Sequence, residues 1–149
     1  MRGILLCVVL VGALASPGPV ALGEPLTDAD YWTYDVRVTD TKGVTTEAWD
    51  FGFYTGANVL PARRGDAYVD VPFRRIRALE IADYVPGRGC YPARITTRVK
   101  GEVLDVEIER AEAQRFLGGS TELGTYRIRL GLVRRLEILR FTAGEGGSE

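Results

Sequence analysis

The sequence predicts an all-β protein made of two tandem units of about 57 residues. Three observations carry that expectation. A 57-residue step takes Val69, Val71, Phe73, Ile76, Leu79, Glu80 and Ile81 onto Tyr126, Ile128, Leu130, Val133, Leu136, Glu137 and Ile138 without a gap. The same step takes Tyr34, Arg37, Val38 and Thr39 onto Tyr91, Arg94, Ile95 and Thr96, so both ends of the unit keep one spacing, as an internal duplication requires. Within each unit the apolar residues recur at every second position, the period of a strand and not of a helix.

The chain opens on a stretch that reads as a secretory signal (residues 1–23). Arg2 supplies a positive start, Ile4 to Leu14 form an apolar run, and Ala13-Leu14-Ala15 offers the small residues a signal peptidase needs. Cleavage is expected after Ala15 or after Gly23. Pro17 interrupts the run short of the roughly 20 apolar residues that span a bilayer, so no membrane span is expected after cleavage. A periplasmic or secreted location follows. Removal through Gly23 leaves 126 of the 149 residues, enough for a compact core, and takes Cys7 with it. Cys90 then has no intrachain partner, although export implies an oxidising compartment. The 19 basic and 20 acidic residues nearly cancel, which argues against a nucleic-acid partner.

Unit one is expected over residues 32–83. Its first hairpin turns near Lys42-Gly43, with the glycine one place off the 57-residue step. Ala48 to Phe53 follows as a strand with Trp49, Phe51 and Phe53 on one side, then a loop at Thr55 to Asn58. Arg64-Gly65-Asp66 is a tight turn into Ala67 to Phe73. It matches an integrin-recognition tripeptide, but the turn accounts for it. After Phe73 the spacing changes to three, through Ile76 to Leu79, before Glu80-Ile81 resumes the strand. That change reads as strand, one 3₁₀ turn, strand, and it recurs from Leu130 through Val133 to Leu136. A strand pair hinged in this way resembles the close of an SH3-like or Sm-like small barrel, over the last dozen residues of each unit.

Residues 84–90 form a short, turn-rich joint. Unit two, residues 91–141, opens with alternation from Tyr91 to Val99. A two-residue loop at Lys100-Gly101 would set Ala93 against Ile108, Ile95 against Val106 and Arg94 against Glu107. Ala111 to Phe116 is the one stretch of helix-favouring composition, and Gly118-Gly119 limits it to a turn or two. Residues 142–149 lack an apolar face and are expected to be disordered. The two units are expected to pack as paired small SH3-like barrels or as one pseudo-twofold β-sandwich.

The chain has no histidine, which removes Ser-His and Cys-His nucleophilic pairs, His-ligated zinc and imidazole acid–base chemistry. Past the signal, the only serines are Ser120 and Ser148, and neither sits in a Gly-x-Ser-x-Gly elbow. No phosphate loop, dinucleotide fingerprint or CxxC pair occurs, and no cofactor is expected. Asp105, Glu107 and Glu109 project from one face of a strand. Such a row suits calcium or glycosidase-type acid–base work, and equally a solvated face neutralised by Arg94, Arg127 and Arg129.

Arginines gather at matched places in the two units: Arg63, Arg64, Arg74, Arg75 and Arg77, then Arg127, Arg129, Arg134, Arg135 and Arg140. The clusters suit carboxylate or phosphate groups of a partner, or serve as charges guarding strand edges. Half of the fourteen aromatic residues lie between Tyr31 and Tyr54; bulky core packing accounts for most, and Trp32 and Trp49 suit a stacking platform for a sugar or peptide.

The resulting expectation is an exported, non-catalytic binding or assembly module of the bacterial envelope. Its binding residues are Arg63, Arg64, Arg74, Arg75, Arg77, Arg134, Arg135, Trp32 and Trp49, and its partner is a protein or polysaccharide of the envelope. The alternatives are a carboxylate-dependent enzyme acting on glycans, through Asp50, Asp105, Glu107 or Glu109, and a structural subunit linked through Cys90.

Overall fold

The computed structural model describes residues 32–143, so the expected signal segment and most of the expected disordered tail lie outside the described residues. The chain is all-β, a single sheet of ten antiparallel strands. In chain order these are β1 (Trp32–Asp40), β2 (Thr45–Phe53), β3 (Val59–Arg64), β4 (Ala67–Pro72), β5 (Ile76–Ile81), β6 (Cys90–Thr97), β7 (Val103–Glu109), β8 (Phe116–Thr121), β9 (Gly124–Arg129) and β10 (Val133–Ala143). One helical turn, α1 (Arg110–Ala113), lies where the composition favours it. The 3₁₀ turns Phe73–Arg75 and Leu130–Leu132 stand where the spacing changes from two to three. Corresponding elements open 57 residues apart: Val59 and Phe116, Ala67 and Gly124, Phe73 and Leu130, Ile76 and Val133.

Across the sheet the order is β4-β3-β7-β6-β5-β10-β1-β2-β8-β9. The strands of residues 32–83 and of residues 90–143 therefore interleave. Hairpin β3-β4 joins β7, and hairpin β8-β9 joins β2. At the centre β5 meets β10, with Leu79 opposite Leu136, Glu80 opposite Arg135 and Ala78 opposite Glu137. The β3·β7 seam is thin, paired at Arg63 and Glu107, where Pro61 has no N–H to extend the ladder.

The two hairpin turns close differently. In the first, Asp40 Oδ1 accepts from the N–H groups of Lys42 at 2.9 Å and Val44 at 3.0 Å, which sets Thr39 opposite Thr45. In the second, the expected two-residue loop is corrected to Arg98–Glu102. Thr97 N–H donates to the Glu102 carbonyl at 2.8 Å, Gly101 N–H to the Thr97 carbonyl at 3.1 Å, and Glu102 N–H to Thr97 Oγ1 at 3.1 Å. Gly101, at φ +63°, suits the left-handed turn. The register accordingly sits two residues from the expected one: Ala93 faces Val106, Arg94 faces Asp105 and Ile95 faces Leu104. A slip of two leaves every side chain on its expected face, so the apolar side stays apolar.

The interior is one apolar cluster, in which Val36, Val38, Leu60, Leu79, Ile95, Ile108, Leu117 and Leu136 are essentially inaccessible. Beside β1 it becomes aromatic. Tyr34 and Phe73 meet edge-on at 5.6 Å, Phe53 lies 5.3 Å from Phe73, and Trp32 packs on Phe141 at 5.0 Å. Such tilted pairs add about 0.5–1.5 kcal/mol beyond their buried area. β10 runs to Ala143, two residues past the boundary the composition suggests.

Candidate functional site

The site forms where β2 breaks its own alternation. β2 pairs with β8 at Trp49–Ser120 and again at Gly52–Gly118, three residues of β2 spanning two of β8. The extra residue makes a β-bulge, and Asp50 within it has φ +50°, the one positive-φ residue other than glycine among the described residues. The expectation that Trp49 and Phe51 share a face is therefore corrected: Phe51 is buried, whereas Trp49 is 42 % exposed. An inserted residue inverts the faces of everything after it.

Glycines on both strands make this close approach feasible. A Cβ on Gly119 would lie 2.5 Å from the Trp49 carbonyl oxygen, and one on Gly118 would lie 2.5 Å from the Tyr126 carbonyl oxygen. On Gly52 it would collide with the Asn58 side chain, whose Oδ1 accepts from Phe53 N–H at 2.9 Å and so holds the loop after β2.

Two open grooves flank the bulge. The smaller, of about 540 Å³, is lined by Trp32, Thr33, Asp50, Tyr54, Asn58 and Ser120 among others. The larger, of about 1130 Å³, includes Asp35, Glu47, Trp49, Asp50, Leu139 and Arg140. Thr33 and Asp50 border both. The rim is fixed by cross-strand contacts: Arg140 donates to Asp35 at 2.5 Å, the hydroxyls of Thr33 and Thr142 lie 3.0 Å apart, and Arg37 donates to Glu47 at 2.9 Å. An accessible indole beside a carboxylate and hydroxyls suits a flat, partly apolar ligand with polar edges, such as a sugar or prolyl ring.

The arginines of the sequence expectation are dispersed over the sheet. Arg63, on β3, donates to Glu107 at 2.5 Å, and Arg88 also pairs with Glu107. Arg64 ends β3 in solvent. Arg74 and Arg75 belong to the first 3₁₀ turn, and Arg77, on β5, lies beside Gly101. Arg134 donates to Asp83 at 2.9 Å and to the Ile81 carbonyl at 3.3 Å. Arg135 binds Glu80 and, at 2.9 Å, Glu137. Arg134 and Arg135 border a separate groove of about 480 Å³ with Glu80, Arg94 and Asp105. Three strands, β7, β6 and β5, separate Arg63 on β3 from Arg134 and Arg135 on β10.

Hydrogen bonds from Arg135 and Arg37 hold the Glu137 carboxyl below its ordinary range, against a smaller opposing effect of burial. Glu137 and Glu47 in turn raise Arg135 and Arg37.

The carboxylate row is likewise engaged within the chain. Asp105 meets Arg94 at 3.4 Å, Glu107 meets Arg63 and Arg88, and Glu109 accepts from the Tyr68 hydroxyl at 3.1 Å. Among the described residues no three acidic or thiol side chains gather as metal ligands, and no helix is long and apolar enough to cross a membrane. Cys90 is 1 % exposed.

The sequence reading named Asp50 and Trp49 but missed Thr33, Asn58 and Ser120 as their neighbours. The available signal was Gly118-Gly119, a pair of missing side chains that permits close approach by another strand. Arg98 was missed as well. Its Nη2 donates to the Ile76 and Ile138 carbonyls at 3.2 and 2.9 Å, and its guanidinium lies 4.9 Å from the Phe141 ring centre, a role in packing. No protein-family model matches this sequence, and no curated protein matches it.

Proposed function

We propose that this protein is an exported, non-catalytic binding module of the bacterial envelope, and that it recognises an envelope polysaccharide or protein through the grooves beside the β2 bulge. One observation carries the reading. Trp49 stands 42 % exposed on a strand whose next residue, Asp50, is held at φ +50°. An exposed indole and a strained backbone both oppose stability, and their coincidence in a groove is more economical as recognition than as packing.

The fold reading that accompanies it is a duplicated five-strand unit. In support, the pairs Val36–Ile138, Arg37–Glu137 and Val38–Leu136 correspond, at a 57-residue offset, to Ala93–Ile81, Arg94–Glu80 and Ile95–Leu79. On this reading β10-β1-β2-β8-β9 and β5-β6-β7-β3-β4 are two composite small barrels, each built from both units. The bulge belongs to the first of them, and that barrel is the binding half.

The test is titration calorimetry against fragments of envelope polysaccharide and peptide, with Trp49→Ala as the diagnostic variant. Base or sugar stacking on an aromatic ring is typically worth about 1–3 kcal/mol, so binding should weaken roughly 5- to 150-fold while the melting temperature holds. Undiminished affinity in Trp49→Ala moves the site elsewhere. Glycan turnover by the wild type that Asp50→Asn abolishes replaces the binding reading with the enzymatic one.

A further inference from the structure

The two edges of the sheet are unlike. β9, at one end, carries two exposed cations, Arg127 and Arg129, whose guanidinium carbons lie 3.8 and 5.1 Å from the ring centre of Phe116 on the adjacent β8. Charged side chains of this kind discourage a further strand from pairing. β4, at the other end, reads Ala-Tyr-Val-Asp-Val-Pro, with Ala67, Tyr68, Val69 and Asp70 all exposed. Tyr68 is 72 % accessible, and β4 has one charge and no cation. Among the described strands only β3 pairs with it.

We infer that β4 is a docking edge for a second copy of this chain, joined antiparallel about a twofold axis through Val69. The register follows from the hairpin. Arg64 and Ala67 flank the two-residue turn Gly65-Asp66, so they form a hydrogen-bonded pair, and so do Ala62–Val69 and Leu60–Val71. The N–H and C=O groups of Tyr68 and Asp70 then point away from β3 and are free for a new strand. Pro72 offers a carbonyl alone.

Three twofold registers bring these groups together. Centring on Asp70 sets the two Asp70 carboxylates face to face and pairs Tyr68 with a proline that cannot donate. Centring on Tyr68 sets Asp70 against Asp66 of the second copy. Centring on Val69 pairs Tyr68 with Asp70 twice, forms four main-chain hydrogen bonds and opposes no like charges. A heterologous peptide would need a sequence fitted to this edge, whereas the edge already fits itself.

The Val69-centred register makes a specific experiment available, because Val69 then faces Val69 in a close, non-hydrogen-bonded pair. Sedimentation of residues 24–149 across a concentration series should show the mass rising from one chain toward two. Val69→Lys and Val69→Glu, each checked for native circular dichroism, should both remain monomeric, and an equimolar mixture of the two should associate. Thr125→Lys, on the β9 edge, should dimerise like the wild type. A wild type that stays monomeric to millimolar concentration overturns the inference. So does a dimer that survives Val69→Lys, or a mixture that fails to associate. Trp49→Ala should dimerise normally, so failure of the binding site and failure of this edge are read separately.

Discussion

At the scale of single residues, two buried side-chain polar atoms among the described residues lack a hydrogen-bond partner, the Tyr34 hydroxyl and Arg98 Nε. Tyr34 is fully buried, yet its hydroxyl has no hydrogen-bond partner. An unsatisfied buried hydroxyl costs about 1–3 kcal/mol, whereas removing it without changing the ring costs little. Tyr34→Phe is therefore expected to be neutral or to stabilise by up to about 1 kcal/mol, read by chemical denaturation. Desolvation also raises the Tyr34 ionisation above its ordinary value of 10.0. With the folded value above the unfolded one, the neutral phenol's contribution is complete below pH 10 and is lost as pH rises through the folded value. Tyr34→Phe should flatten that alkaline decline. The sequence assigned most of the aromatics between Tyr31 and Tyr54 to core packing, but nothing in it reports whether a hydroxyl inside will find a partner. Trp49 fails for a related reason: one inserted residue inverts an alternation that continues unbroken in the text of the sequence.

At the scale of elements, a ladder of alternating charge crosses four strands, from Glu47 on β2 through Arg37 on β1 and Glu137 and Arg135 on β10 to Glu80 on β5. Partly exposed pairs contribute little one at a time, but here each inner group serves two partners. Glu137 lies between two guanidiniums and its ionisation is depressed below 4.5. Its contribution is therefore present above that unfolded value and is lost as pH falls through the lower, folded one. Glu137→Gln is expected to lower stability at neutral pH and to flatten the acid decline below about pH 4.5, measured as denaturation midpoints from pH 2 to pH 7. The strands carrying this ladder were legible, because period two fixes which face each residue takes. Register was not: a shift of two preserves every face, and the choice between the two hairpins rested on the Thr97 side chain bonding within its own loop.

At the scale of the whole molecule, the interleaved order decides how the chain must fold. The hairpin β3-β4 finds its neighbour in β7, the hairpin β8-β9 finds its neighbour in β2, and the central strands β5 and β10 meet across the middle. Both segments share one apolar spacing, so each hairpin presents the same kind of face, and nothing in the sequence states whether it pairs within its own segment or with the other. The sheet resolves that choice in favour of the other. Neither segment then has a complete core of its own: residues 32–86 leave the β8 side of β2 unpaired, and residues 87–143 leave the β3 side of β7 unpaired. Such non-local pairing makes loop closure costly and folding slow relative to a chain of self-contained hairpins. The two fragments, produced separately, are expected to be unfolded by circular dichroism at low concentration and to regain the native β spectrum as a one-to-one complex on mixing. If either fragment folds alone as a cooperative monomer, its hairpin has paired within its own segment, and the exchange of strands is not what stabilises the native sheet.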